Sequence, residues 1–326
     1  MSKGNVFRIL SAVCASFLAF SFASEQAHAT KLKLGHTGSL DHHYQKGSDM
    51  FKKRVEELSE GKIQIIIFPS DQLGKQRELV EGAQLGTVDM VLTSDVLLSS
   101  FEPTMGALGL PFLFRDLDHL GKVMDGPIGD ELSKNLEKKG LKVLGYWENG
   151  FRHITNSKRP IVKPDDLKGL KIRTPEGAVF VDTFNAYGAS ATPMSFGELY
   201  SSLQLKVVDG QENPVAHVLT QKFYEVQSFL SLSSHIHSVE PLLISTVVFK
   251  GLPADEQKVL LQAGKEVAPW IRAEVARIEA EQLKFLEGKI AVNKADAAAF
   301  EAASKPVYDK YGPKFGDLIQ RIKAVR

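Results

Sequence analysis

Three polar residues stand where apolar, alternating segments end. Arg152 lies in "ENGFRHITN" after the run "LKVLGYW", Arg173 closes "GLKIR", and Asn213 sits in "VVDGQENP" ahead of a helix expected near Pro214. A guanidinium is a planar fork of donors shaped to a carboxylate. A carboxamide can donate to the same anion while its carbonyl is held by the backbone. Side chains at strand ends are the ones an α/β fold presents to a crevice. The pattern fits a carboxylate-binding crevice, and it fits equally a set of arginines paired with acids such as Asp165, Asp166 or Glu176. Residue type and spacing alone leave both readings open. The histidines offer less. His42 and His43 are adjacent and His235 and His237 would share a strand face, but no cysteine or clear carboxylate partner accompanies either pair. Surface or packing roles are therefore expected for them, with no metal.

The elements that must position these residues alternate along the chain. "KLKLGH" has period two, and Tyr44, Phe51, Val55 and Leu58 recur at helical spacing, with Gly61 placed to end that helix. "KIQIIIF" reads as a strand, followed by a helix over 75–85 and the strand "VDMVLT". "LKVLGYW", "LKIRT" and "VVDG" read as further short strands, with helices over 178–187 and 196–204 between them. The longest helix is expected over 254–288, with Trp270, Ile271, Val275, Ile278 and Leu283 as its apolar stripe. Strand–helix alternation argues for an α/β architecture with largely parallel sheets, and the strands suffice for two. No Pro/Gly-rich linker divides the chain, so two domains would have to share strands or long helices.

The chain has 326 residues, of which 43% are hydrophobic, enough for one large domain or two of about 150 residues. The first 29 are set apart. "MSKGNVFR" is a basic start, "ILSAVCASFLAFSFAS" an apolar stretch and "AHA" a cleavage site before Thr30, the pattern of a secretory signal peptide. Cys14 is the single cysteine and lies inside that stretch, which excludes disulfides from the mature chain and fits export to the bacterial periplasm. The leader's Lys3, Arg8 and Glu25 account for the whole formal charge of +1. A near-neutral chain without blocks of like charge argues against a nucleic-acid partner. The nucleophile elbow, phosphate loop and zinc-protease motifs are absent, and no cofactor is expected.

The blocks "YWENGFRHITNSKRPIVKPDDLKGLKIRTP", "GASATPMSFGELYSSLQLKVVDGQENP", "FPSDQLGKQRELVEGAQLGTVDM" and "LPFLFRDLDH" resemble the substrate-binding proteins of tripartite ATP-independent periplasmic (TRAP) transporters, the DctP-like family. The resemblance covers nearly all of the mature chain, in order. It implies a two-domain periplasmic solute-binding fold, α/β, with a central ligand cleft, hinge strands and a long domain-spanning helix. The domains would be 30–149 plus 239–276 and 150–238 plus 277–326. It places the main salt bridge to a ligand carboxylate on Arg173, further contacts on Arg152 and Asn213, and an apolar contact on Phe196. Distal contacts fall on Thr37, Gln76, Ser94 and Asp95 in the first domain. Trp147 and Glu148 would support the crossing strand.

The implied function is capture of a small organic acid and its delivery to the small and large membrane subunits of a transporter, by a monomer with no catalytic residues. The neutral distal groups suit a sugar acid, a hexuronate or aldonate. A four-carbon dicarboxylate such as malate, succinate or fumarate is the runner-up, with His36, His42 or Arg77 as its second clamp, and aromatic or 2-keto monocarboxylates come third. A periplasmic enzyme acting on organic acids would need a positioned base, for which His153 and Asp95 are the candidates. A sensor partner of a receptor kinase would use the same fold.

Overall fold

The structure is a computed structural model describing residues 29–326; the leader expected over residues 1–29, apart from its last residue, lies outside the described residues. Among the described residues, nine strands form one continuous sheet: β1 (Thr30–Gly35), β2 (Ile63–Phe68), β3 (Met90–Leu92), β4 (Leu141–Asn156), β5 (Lys171–Thr174), β6 (Ser190–Pro193), β7 (Gly210–Pro214), β8 (Phe229–Ser245) and β9 (Ala291–Lys294). Their order is β2-β1-β3-β8-β4-β7-β5-β6, with β9 beside β8. The outer strands pair in parallel, β1 with β2 and β3, β5 with β6 and β7. The centre is antiparallel, where β8 meets β3 and β4, and β4 meets β7. The expected pair of largely parallel sheets is thus a single mixed one. Two long central strands run through both lobes and join what would otherwise be separate parallel sheets.

Alternation decides which face each strand residue covers. Leu32, Leu34, Ile63, Ile65, Met90, Leu92, Leu242 and Ile244 pack on one face of the first lobe with Phe51 and Val55 of helix α1 (His43–Leu58), Trp147 and Ile271. Val91 and Leu243 point the other way, to Leu79 and Val80 of helix α2 (Gln76–Leu85) and to Leu98, Leu120, Leu132 and Leu136. Burying each such side chain contributes about 1.5–3 kcal/mol. The second lobe has smaller cores, one around Ile154, Ile172, Phe184 and Tyr187 and one around Leu199, Val208, Phe223 and Leu286.

The crossing between lobes is where β4 and β8 pass. β4 does not stop after "LKVLGYW" but continues through the whole of "ENGFRHITN", 16 residues in all, while β8 has 17. The pairing slips between Glu148 and Gly150 and again between Arg152 and Ile154. Such bulges re-aim the side chains beside them. Gly150 has φ +123°, a backbone region closed to L side chains, so the bulge depends on a glycine there. Two further elements depart from the sequence reading. The strand expected at "VVDG" begins where that segment ends, at Gly210, which places Asn213 within β7 rather than in a turn. Helix 196–204 is a 3-10 turn, Phe196–Glu198, followed by the α-helix Leu199–Gln204.

The long helix Ala254–Glu287 spans 34 residues, about 50 Å. It rests on α1 and on the backbone of β4: a Cβ at Gly264 would lie 2.3 Å from the Leu144 carbonyl oxygen. Ile271, Val275 and Ile278 are buried along it, whereas Trp270 is 37% exposed and lies off the buried stripe. At the C-terminus, Leu318, Ile319 and Ile322 of the last helix pack into the first lobe's core. Arg321 pairs there with Glu131 at 2.6 Å.

Candidate functional site

One cavity lies between the lobes beside the crossing strands. Thr37, Tyr44, Gln76, Ser94, Val96 and Glu240 line it from the first lobe and the crossing, and Arg152, Arg173, Pro175, Phe196, Asn213 and His217 complete it. Seven of the eight residues singled out in the sequence therefore meet around one space. The eighth, Asp95, is fully buried at the start of the short helix α3 (Asp95–Leu98) but is not among the lining residues.

The two arginines differ sharply. Arg152, 3% exposed, is already paired. Its Nε donates to Glu212 Oε2 at 2.6 Å, and its Nη2 donates to Glu212 Oε1 at 2.8 Å, to the Glu212 carbonyl at 2.9 Å and to Asn213 Oδ1 at 3.0 Å. Only Nη1 is lightly engaged, 3.5 Å from Ser238 Oγ. Burial alone would raise the pKa of Glu212, but the Arg152 charge and hydrogen bonds from His235 and Arg152 hold it below the usual carboxylate range. Arg173, 2% exposed, pairs with no carboxylate among the described residues. Its Nε and Nη2 both donate to the Met194 carbonyl, at 3.0 and 2.7 Å, and its guanidinium carbon lies 5.9 Å from the Phe196 ring centre. Burial lowers its pKa to about 10, against the pull of Glu212. β5 brings Arg173 to the cavity because Ile172 faces the core, and the next residue of a strand faces the opposite way.

Asn213 is held differently from the expectation. Its carbonyl accepts from Arg152 rather than from backbone, and its Nδ2 donates to Gln211 Oε1 at 2.5 Å. Phe196 is half-buried, edge-on to His217 and Phe223 with ring centres 5.1 and 6.2 Å away. Across the cavity, Thr37 Oγ1 is buried without a hydrogen-bond partner. Ser94 caps α3 by accepting from Leu97 N at 3.3 Å, which leaves its hydroxyl proton free to donate. Gln76 opens α2. At the mouth, Lys75 and Glu198 meet at 2.6 Å and Arg77 approaches Glu176 at 3.9 Å, so charged pairs bridge the lobes over the cavity.

Around this wall runs a buried polar layer that the sequence reading did not assemble. The rings of His43 and His217 lie 4.1 and 4.4 Å from His42. Tyr44 Oη donates to Asn149 Oδ1 at 2.9 Å, which also accepts from His217 Nε2 at 3.0 Å. Burial lowers the pKa of His36 to about 4 and of His43 to about 3, and those of His42 and His217 well below the ordinary value. His36 and His42 are thus neutral, and neither lines the cavity, so neither supplies a cationic clamp. His235 and His237 serve separate carboxylates, Glu212 at 3.3 Å and Glu148 at 2.7 Å. Trp147, fully buried in the first-lobe core, and Glu148 support the crossing. His153 accepts from Ser234 N at 3.2 Å and is held neutral by burial, with a pKa of about 3. Asp95 is raised to about 7 by burial against the opposing pull of Arg152. The lining residues that sequence reasoning missed are Tyr44, Val96, Pro175, His217 and Glu240. The signals available were a histidine four residues after Asn213 and a lone carboxylate in the apolar "SVEPLL".

A cavity between two lobes, with a buried cation on one wall and neutral donors on the other, fits a receptor for a small anion. Comparisons with known proteins agree. The family model for bacterial extracellular solute-binding protein, family 7 (DctP), matches residues 34–314. The 2,3-diketo-L-gulonate-binding periplasmic protein YiaO of Escherichia coli is 34% identical over 94% of this chain and 95% of its own length. A TRAP periplasmic solute binding protein from a Polaromonas species, solved bound to D-erythronate, is 41% identical over 91% of this chain and 99% of its own, with a TM-score of 0.89. One from Sulfurospirillum deleyianum, solved with bound succinate, is 36% identical over 91% and 99%, with a TM-score of 0.87. The chain belongs to the DctP family of extracellular solute-binding proteins, the receptors of TRAP transporters, which bind small organic acids and are not enzymes.

Proposed function

We propose that this chain captures a sugar acid, a hexuronate or aldonate, in the periplasm and hands it to the membrane subunits of its transporter as a monomer. The observation that carries the reading is Arg173: a buried guanidinium on the cavity wall whose only hydrogen-bond partner among the described residues is a carbonyl. Leaving a charge out of water without a counter-charge is costly, and a ligand carboxylate supplies what is missing. Arg152 Nη1 and Asn213 lie along the same wall as secondary contacts, and Phe196 offers an apolar face beside Arg173. Thr37, Gln76 and Ser94 are neutral hydrogen-bonding groups suited to hydroxyls at the ligand's other end. The D-erythronate carried by the Polaromonas relative is an acid of that kind.

The lobes we assign are 30–149 with 239–276 and 150–238 with 277–326, the final helix reaching back onto the first. Ligand touching both would be bound fully only in the closed form, and so would shift the population towards closure. A four-carbon dicarboxylate is the second reading, favoured by the succinate-bound relative. It is weakened by the neutrality of His36 and His42 and by Arg77's approach to Glu176.

Calorimetry against a panel of organic and sugar acids tests the proposal. Arg173→Ala should weaken the best ligand by about 2–5 kcal/mol, the usual cost of removing one partner of a buried charge pair. Near-wild-type affinity in that variant would remove Arg173 from the clamp.

A further inference from the structure

His217 lines the cavity from the second lobe, on the helix Val215–Thr220, and is 4% exposed. Its ring is held on two sides. The His42 ring lies 4.4 Å away across the lobe boundary, and Phe196 meets it edge-on at 5.1 Å. Its tautomer is set by a chain of hydrogen bonds. The Glu240 carboxyl, kept protonated by burial, shares a hydrogen bond with the Tyr44 hydroxyl. Tyr44 Oη donates its own proton to Asn149 Oδ1 at 2.9 Å, and His217 Nε2 lies 3.0 Å from the same oxygen. A carbonyl oxygen only accepts, so the imidazole proton is on Nε2. Burial, and behind it the neighbouring His43, Arg152 and Arg173, hold the ring neutral. Nδ1 is then a bare acceptor, buried and without a hydrogen-bond partner among the described residues. The rest of that wall offers a ligand only donors. The two arginines have no acceptor, and Asn213 Oδ1 is taken by Arg152. Arg173 and His217 both lie against the Phe196 ring, at 5.9 and 5.1 Å from its centre, so the acceptor stands beside the place where a carboxylate would dock.

We infer that His217 selects acids with a hydroxyl on the carbon next to the carboxylate, Nδ1 accepting a hydrogen bond from that hydroxyl. This rests on the reading that Arg173 holds the carboxylate. The carboxylate takes up the donors of the wall, and the neighbouring hydroxyl brings the one donor that Nδ1 lacks. Aldonates carry such a hydroxyl. A pyranose hexuronate has its ring oxygen there, an ether without a proton, and leaves Nδ1 unpaired. A site built to bond a hydroxyl rejects an analogue without it, because its own buried polar group is then left without a partner. Among sugar acids the cavity is therefore tuned to aldonates.

Calorimetry at neutral pH compares acids that differ in this hydroxyl alone: D-erythronate with 3,4-dihydroxybutanoate, and D-galactonate with 2-deoxy-D-galactonate. Wild-type protein should prefer the 2-hydroxy member of whichever pair it binds by about 10-fold or more. His217→Gln keeps an amide near the Nε2 position but has no atom at Nδ1, and should bring the ratio to within about twofold of one. His217→Asn, whose amide oxygen can stand at Nδ1, should keep most of the preference. A wild-type ratio within about twofold of one, or a preference that survives in His217→Gln, overturns the inference. If both variants lose the preference or fail to fold, nitrogen-15 NMR of the wild-type ring decides. Nδ1 should be unprotonated and should respond to the 2-hydroxy acid but not to its deoxy partner; a protonated Nδ1, or an equal response to both, overturns it. Arg173→Ala separates the two readings. If it loses affinity while the wild-type ratio is near one, the clamp stands and His217 falls. If it keeps affinity while His217→Gln collapses the ratio, the reverse holds. If none of the four acids binds wild-type protein, both fall.

Discussion

Replacing Arg152 with alanine should damage stability more than recognition, because of what it leaves behind. Glu212 is fully buried and receives two hydrogen bonds from the Arg152 side chain, at 2.6 and 2.8 Å. Removing one partner of such a pair strands the other charge and costs about 3–5 kcal/mol. In a chain of this size that corresponds to roughly 6–10 °C in melting temperature. His235, 3.3 Å from the same carboxylate, moderates the loss. Its pKa is lowered by burial, against Glu212, and the Arg152 charge lowers it further. Without Arg152 the His235–Glu212 pair takes up a proton more readily as the pH falls, so the deficit should be larger at pH 8 than at pH 6. Calorimetric melting of the ligand-free protein at both pH values measures this. Arg152→Met with Glu212→Leu should recover most of the loss, since the pair itself adds little over apolar packing. Arg173→Ala strands no acid and should leave the ligand-free melting temperature unchanged or higher. An Arg152→Ala protein melting within about 2 °C of wild type at pH 8, with no gain in the double variant, would refute this division of labour.

Acidification should also unfold the ligand-free protein early. His36, His42, His43 and His217 stay neutral when folded but protonate near 6.5 when unfolded, so their stabilisation is full above 6.5 and is lost as pH falls towards their folded values. Each costs about 2 kcal/mol at pH 5. Asp95, raised to about 7, Asp71, raised to about 6, and Glu240, raised well above the ordinary range, work the other way; Asp95 returns up to about 4 kcal/mol between pH 7 and 4, and together they offset part but not all of the loss from the four histidines at pH 5. The urea midpoint should therefore drop between pH 6.5 and 5, and a flat or rising midpoint would contradict neutral burial of the histidine layer. Gly264→Ala puts a methyl 2.3 Å from the Leu144 carbonyl and should cost about 1–3 kcal/mol in chemical denaturation; an unchanged midpoint would mean the long helix is not pinned there. Glu198→Ala breaks an exposed pair at the cleft mouth and should change ligand affinity by less than about fivefold. That change should vanish in 1 M salt, and one that survived would place Glu198 in the site rather than at its rim.

The sequence alone determined the alternation of strands and helices, the absence of cysteine after Cys14, and the arginine and asparagine side chains that meet on one cavity wall. These are legible because residue types can be counted, and because a period of two or 3.6 and a block such as "GLKIRTP" are each contained in a short window. β8 was not legible: "FLSLSSHIHSVEPLLIS" carries serines, histidines and a proline, and its 17 residues are extended because β3, β4 and β9 pair with them. Nor could sequence decide which arginine is free. Glu212 lies 60 positions from Arg152 and is brought to it by the β4–β7 pairing, while among the described residues no carboxylate pairs with Arg173.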